Sequence, residues 1–347
     1  MYKKLKDLNW KPPTGWLKIS SIDMHTGGEP LRILVEGYPE VKGQTILEKR
    51  KFFRDQLDHI RKGVMWEPRG HSDMYGAVIT EPCSADSDFG TFFLHNEGYS
   101  TMCGHAIIAL TKFVLDTGLI RKKGDQPVLK IDAPPGQIVS TAKRENGSVH
   151  SVSFRNVPSF VLHKDQQVEV SGFGRVQYDV AFGGAFYAIV DAEKLKLSLE
   201  PKDLARLIDL GMRIKRSVMN KQLIIHPFEK DLSFLYGTIF TGRPDNPSRH
   251  SRNVCIFANG EVDRSATGSG VSARAALHHA RGDLKVGEKI EIESIIGTTM
   301  EVELSAITTF GPHKAIIPTV TGKASFTGKN SFWFDPEDPL KDGFFIR

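Results

Sequence analysis

Ser100-Thr101-Met102-Cys103-Gly104-His105-Ala106-Ile107-Ile108-Ala109-Leu110 reads as a turn that delivers a cysteine and a glycine to the mouth of an apolar helix. Ala106, Ile107, Leu110, Val114 and Leu115 follow the spacing of one helix face, and Gly118 supplies the stop. Cys103 then falls at or beside the N-cap. The first N–H groups of a helix lack intrahelical partners and carry the positive end of its dipole, so this point favours a thiolate or a bound carboxylate. The dipole is worth about 0.3–1 kcal/mol, which is expected to raise the small thiolate fraction of an ordinary cysteine.

A second stretch has the same plan. Asp263-Arg264-Ser265-Ala266-Thr267-Gly268-Ser269-Gly270 leads into the helical pattern Val271-Ser272-Ala273-Arg274-Ala275-Ala276-Leu277. A stop glycine stands fifteen residues after Thr267, at Gly282, as Gly118 stands fifteen after Cys103. Thr267 therefore takes the place that Cys103 has in the first copy.

Other matched features surround the two helices. His25-Thr26-Gly27-Gly28-Glu29-Pro30 sits between strand-like Leu17–Ile22 and Leu31–Val35, and Ala181-Phe182-Gly183-Gly184-Ala185-Phe186 precedes a strand ending in Ile189-Val190. Gln44–Val64 and Pro201–Met219 read as amphipathic helices, the second with proline in its first turn. The strands Ala77–Thr80 and Thr91–His95 precede the Cys103 helix, as Leu235–Phe240 and Val254–Ala258 precede the Thr267 helix. The pattern predicts an α/β (α+β) protein of two pseudo-symmetric halves, each a sheet wrapped on a central helix, with both helix mouths facing one cleft. Residues 1–178 form the first half, completed by return strands from about 320–347, and residues 179–320 form the second. Residues 1–16, polar and ending in Pro12-Pro13, read as an arm.

The chain of 347 residues is long enough for two cores, and its 40% hydrophobic and 25% charged residues are those of a soluble globular protein. A net charge of +5, scattered through helical patterns such as Lys49-Arg50-Lys51, excludes a nucleic-acid surface and suits a small anionic substrate. No apolar run approaches a membrane span and Met1–Lys6 is not followed by a secretory core, so the expected location is the cytosol. Cys83, Cys103 and Cys255 are too few and too irregular for a disulfide frame or a zinc site. Cys83 beside Pro82, and Cys255 within an apolar strand, read as inert. Cys103 remains open between an enclosed apolar thiol and a reactive one. Gly268-Ser269-Gly270-Val271-Ser272-Ala273 contains a G-x-G-x-x-A pattern, but a polar segment separates it from the preceding strand, which argues against a dinucleotide. His71, Asp73, His278 and His279 lack metal-ligand spacing, and no metal is expected.

Met102-Cys103-Gly104-His105, the Asp263–Gly270 block, His25–Pro30, Glu67-Pro68-Arg69-Gly70-His71 with Asp73-Met74, and Ser251-Arg252-Asn253-Val254 together resemble the proline racemase family. The likeness runs from about residue 19 to at least residue 322. It implies a diaminopimelate epimerase-like fold, a homodimer, and cofactor-independent chemistry at the α-carbon of a proline-like amino acid. In family racemases and hydroxyproline epimerases two cysteines flank that carbon. Here Thr267 replaces the second, a departure similar to the trans-3-hydroxy-L-proline dehydratase branch. The resemblance assigns catalysis to Cys103 and Thr267, the substrate carboxylate to the backbone of Gly104, His105, Gly268 and Ser269, and the ring ammonium to Asp263 with help from His105. A racemase or epimerase using another second acid is the alternative, and a non-catalytic binder of proline-like amino acids is the alternative of a different class.

Overall fold

A computed structural model describes residues 5–346. Met1–Lys4, part of the expected arm, lie outside them. The strands are β1 (Leu17–Thr26), β2 (Glu29–Glu36), β3 (Tyr75–Thr80), β4 (Phe89–His95), β5 (Val128–Ala133), β6 (Gly136–Glu145), β7 (Ser148–Arg155), β8 (Ser159–Val170), β9 (Gly174–Phe182), β10 (Phe186–Asp191), β11 (Leu235–Gly242), β12 (Ser251–Phe257), β13 (Glu261–Asp263), β14 (Lys289–Glu293), β15 (Thr299–Phe310), β16 (His313–Gly322) and β17 (Ala324–Phe334). The helices are α1 (Ile46–Met65), α2 (Gly104–Asp116), α3 (Leu204–Lys221) and α4 (Gly268–Arg281).

Strand pairing repeats. In the first set β1 pairs antiparallel with β2, β2 parallel with β3, β3 antiparallel with β4, and β4 parallel with β5. In the second, β9, β10, β11, β12 and β14 follow the same sequence of antiparallel and parallel pairings. The second set closes on itself through β15, β16 and β8, a ring of strands around α4. The first continues through β6 and β7 to β16, while β17 returns to β1. β16 thus belongs to both walls, pairing with β8 near Ala315 and with β7 from Thr319 onward. Tyr178, where the sequence division was drawn, falls within β9.

The central helices are enclosed rather than amphipathic. Every residue of α2 from Gly104 to Thr111 is buried, as is every residue of α4 from Gly268 to Leu277. Helices apolar on all sides belong inside a core, and each here is wrapped by strands of its own set. The outer helices keep one apolar face: Phe53, Leu57, Ile60 and Val64 of α1 pack toward β4, and Leu207, Leu210, Ile214 and Val218 of α3 toward β11. Thr45 caps α1 by accepting from the Glu48 N–H at 3.2 Å, and the Glu48 carboxylate accepts from the Gln44 N–H at 2.7 Å, a variant of the capping box. Gly282 ends α4 at φ 87°, a left-handed conformation that glycine adopts without strain. Lys49, within the basic run of α1, is buried and donates to the Glu81 carbonyl at 2.6 Å.

Candidate active site

The helix mouths meet. A Cβ built on Gly104 would lie 2.8 Å from the Gly268 Cα, and one on Gly268 would lie equally close to the Gly104 Cα. Only glycine at both positions permits this approach. Cys103 and Thr267, one residue before each glycine, therefore bracket a shared space from opposite sides. Of the first-turn N–H groups, Ala106 reaches the Cys103 sulfur at 3.4 Å, Ile107 the Cys103 carbonyl at 3.1 Å and Val271 the Thr267 carbonyl at 2.8 Å. Those of Gly104, His105, Gly268 and Ser269 have no intrahelical acceptor, and a helix N-terminus of this kind is suited to an anion.

The enclosed space has a volume of about 20 Å³, room for a single water. Besides the residues expected from the sequence, it is lined by Tyr75 from β3, Tyr187 from β10, Tyr236 from β11, and Cys255 and Phe257 from β12. The sequence reading missed these. Tyrosine and phenylalanine in a strand carry no signal beyond strand propensity, and only the pseudo-symmetric folding of distant strands brings them together. Burial holds the three phenols well above their ordinary pKa, so they are neutral donors. Tyr75 hydrogen-bonds to the Ser100 hydroxyl, and Tyr187 to the Ser269 hydroxyl at 2.7 Å.

Cys103 is buried, and its sulfur lies 3.2 Å from His105 Nδ1. Burial pushes its pKa well above the ordinary thiol value. The Ala106 N–H and the Tyr75 hydroxyl act against this, while the charges of Asp263 and Glu29 add to it. The expected net lowering by the helix dipole is thus overturned, because desolvation exceeds it. Burial likewise lowers the pKa of His105 to about 3, so its ring is neutral. The nearby Pro30 carbonyl acts the other way, and both ring nitrogens lie within 3.5 Å of the Cys103 sulfur.

Asp263 ends β13 and accepts from the Ser265 N–H at 2.7 Å. Burial raises its pKa to about 6, tempered by hydrogen bonds from Ser265 and proximity to Thr267. The strand that carries it is gripped by side chains from the first set of elements. Asp73 accepts from the Val262 N–H at 3.0 Å and pairs with the Arg264 guanidinium at 2.8 Å. Glu29, fully buried, accepts from the Arg264 N–H at 2.7 Å, and its pKa is raised well above normal, by burial first and by Asp263 next.

Thr267 is 5% exposed and sits at φ 68°, ψ 96°, a conformation costly for a β-branched residue. Its hydroxyl oxygen has no hydrogen-bond partner among the described residues. The histidines set aside as metal ligands have other partners: His71 meets the Ser72 carbonyl, His278 meets Asp283, and His279 meets the Leu284 carbonyl.

The family described as proline racemase matches residues 21–345. The chain is 50% identical to a Colwellia psychrerythraea protein named trans-3-hydroxy-L-proline dehydratase, over 97% of this chain and 96% of that protein. It is 44% identical to a human protein of the same name, over 95% of each. A crystal structure of a hydroxyproline epimerase from Agrobacterium vitis with bound trans-4-OH-L-proline superposes with a TM-score of 0.90 at 29% identity, covering 96% of both chains. The fold expected from the sequence, mixed α/β with barrel-like sheets around central helices, is the one observed.

Proposed function

This chain belongs to the proline racemase family, and on that premise we propose that it is a trans-3-hydroxy-L-proline dehydratase, a hydro-lyase that yields Δ1-pyrroline-2-carboxylate without a cofactor. The observation that carries the reading is the inequality of the two helix mouths, a thiol at Cys103 facing a hydroxyl at Thr267. Racemisation requires a proton acceptor on one face of the α-carbon and a donor of similar acidity on the other. Because the exchange runs in both directions the second group must also act as a base, which an alkyl hydroxyl with its very high pKa cannot do. Elimination from a trans-3-hydroxy substrate needs only one face.

In this reading the substrate carboxylate lies against the N–H groups of Gly104, His105, Gly268 and Ser269, and its ring ammonium against Asp263 with help from neutral His105. Charge withdrawn from the carboxylate acidifies the C2 hydrogen. In the trans isomer the C3 hydroxyl is opposite the carboxylate, hence on the same ring face as that hydrogen. Cys103 thiolate removes the C2 proton and hands it to the departing hydroxyl, which leaves as water. Thr267 fills the other face without supplying a base.

Proton NMR of the purified protein with trans-3-hydroxy-L-proline under reducing conditions, and with L-proline in a parallel tube, tests this. The expected result is growth of the cyclic imine in the first tube and no D-proline in the second. Untouched hydroxyproline with racemised proline would overturn it. The same reading includes a cytosolic location, supported by a chemistry that needs a reduced thiol, and a homodimer, supported by family membership and checked by analytical ultracentrifugation. Among the described residues no helix is long and apolar enough to cross a membrane.

A further inference from the structure

Cys255 has no part in the elimination just described, yet it is fully buried and lines the same cavity as Cys103, Asp263 and Thr267. Its position follows from strand register. β12 and β13 run antiparallel with Cys255 directly opposite Asp263. Side chains so paired project from the same side of the sheet, with Cβ atoms about 4.5–5.5 Å apart. The Thr267 hydroxyl stands close to both this thiol and this carboxylate, without a regular hydrogen bond to either. Thr267 is 5% exposed, and its hydroxyl lies on the cavity wall within reach of both Cys255 and Asp263. All three groups belong to the α4 side, across the Gly104–Gly268 contact from Cys103.

The elimination leaves one proton unassigned. Loss of water gives a ring with a C2=C3 double bond, whereas the imine carries one more hydrogen on C3 and one fewer on nitrogen. Cys103 has by then given its proton to the hydroxyl and has none to offer C3. We propose that Asp263, Cys255 and Thr267 form a second proton path that converts the enamine to the imine within the closed site, protonating C3 from the face opposite Cys103.

This proposal rests on the dehydratase reading. One ring N–H proton passes to Asp263, and the nitrogen pair becomes the C=N π bond. The C2=C3 π pair forms the new C3–H bond with the Thr267 hydroxyl proton. Thr267 is resupplied by the Cys255 thiol, and Cys255 by the proton on Asp263. Each group returns to its starting state, and no redox partner is required. Delivery through Thr267 is concerted, so no free alkoxide forms. Because the hydroxyl leaves from the Cys103 side and hydrogen arrives from the other, C3 is substituted with inversion.

The test is turnover of trans-3-hydroxy-L-proline in D2O with the imine trapped by cyanoborohydride as it forms, followed by separation of the D- and L-proline so produced and NMR of each. The wild type is expected to place deuterium almost wholly at the C3 position opposite the one that bore the hydroxyl. Cys255→Ala is expected to lose this facial preference, and Cys255→Ser, which keeps a protic group, to retain it. Evenly distributed label in the wild type, or label on the hydroxyl's former face, would overturn the path. A preserved preference in Cys255→Ala, or its loss in both variants alike, would remove Cys255 from it. Solvent deuterium appearing at C2 of L-proline under the same conditions would show that the path serves C2 and overturn the C3 assignment. Absence of any imine from the wild type would instead sink the dehydratase reading, and this proposal with it.

Discussion

A cysteine at a helix mouth is often taken as activated, but for Cys103 the magnitudes decide otherwise. The dipole contributes about 0.3–1 kcal/mol, while complete removal from water shifts a pKa by up to about 3–5 units, so burial wins. The thiol rests protonated beside a neutral His105. On the dehydratase reading, an ammonium bound next to Asp263 would bring the missing positive charge, so that the substrate helps to ionise its own base. The pH profile follows with its sign. Asp263 must be an anion to hold the ammonium, and with its pKa raised to about 6, kcat/KM should fall as pH drops through that value. On the alkaline side kcat/KM should still be climbing above pH of about 8.5, where an exposed thiol is already half ionised. A plateau from pH 7 upward would contradict the raised thiol pKa. Cys103→Ser should lower kcat by about 10²–10⁴-fold, the usual worth of a positioned general base. Thr267→Cys should confer solvent exchange of the α-proton of L-proline, read by NMR in D2O. The placement of Cys103 and Thr267 at the two helix mouths was legible because each precedes an apolar helix at a matched distance from a stop glycine. Asp263 was reached only through resemblance. Cys255 was read as inert, since nothing in a strand sequence says which side chain of a buried ladder faces a cavity.

At the scale of elements, the site depends on two helices approaching end to end with no side chain between them. Phe154 lies beneath the junction, its Cζ 2.9 Å from where a Gly104 Cβ would sit and 3.5 Å from a Gly268 Cβ. Gly268→Ala should therefore cost about 1–3 kcal/mol of stability by overpacking and, by forcing the mouths apart, most of the activity. Thr45→Ala makes the contrast. Loss of that cap should cost about 1 kcal/mol in thermal or denaturant unfolding while leaving kcat and KM unchanged, because α1 packs on the outer side of its sheet. The elements themselves were legible. The expected helix Gln44–Val64 is observed at Ile46–Met65, and Pro201–Met219 as a short 3₁₀ turn, Pro201–Asp203, running into α3. The degree of enclosure of α2 and α4 was not, because a helix pattern fixes which face is most apolar and not how many sheets surround it.

For the whole molecule, the repeat was legible from glycine spacing, and the crossing of strands was only partly so. β17 pairing with β1 places the C-terminal return against the first strand, while β16 is shared in a way no local pattern announces. Across the cleft, Asp73 and Glu29 hold the Asp263 strand by its backbone and by Arg264. Asp73→Asn, which keeps an acceptor for Val262 but loses the charge facing Arg264, should raise KM more than it lowers kcat, measured by steady-state kinetics. With about 20 Å³ between the helix mouths, entry of a five-membered ring is expected to need movement of the lining side chains or of the two walls. The main chain passes from one wall to the other near residues 156–158 and again around residue 323, and both crossings lie beside β16. Such an arrangement is a clamshell with its pivot along one edge. Opening about that edge would separate Cys103 from Thr267 and expose both helix mouths to solvent in the same movement. On the dehydratase reading, chemistry and exposure to water would then alternate in time, with the ring released after its bonds have been rearranged.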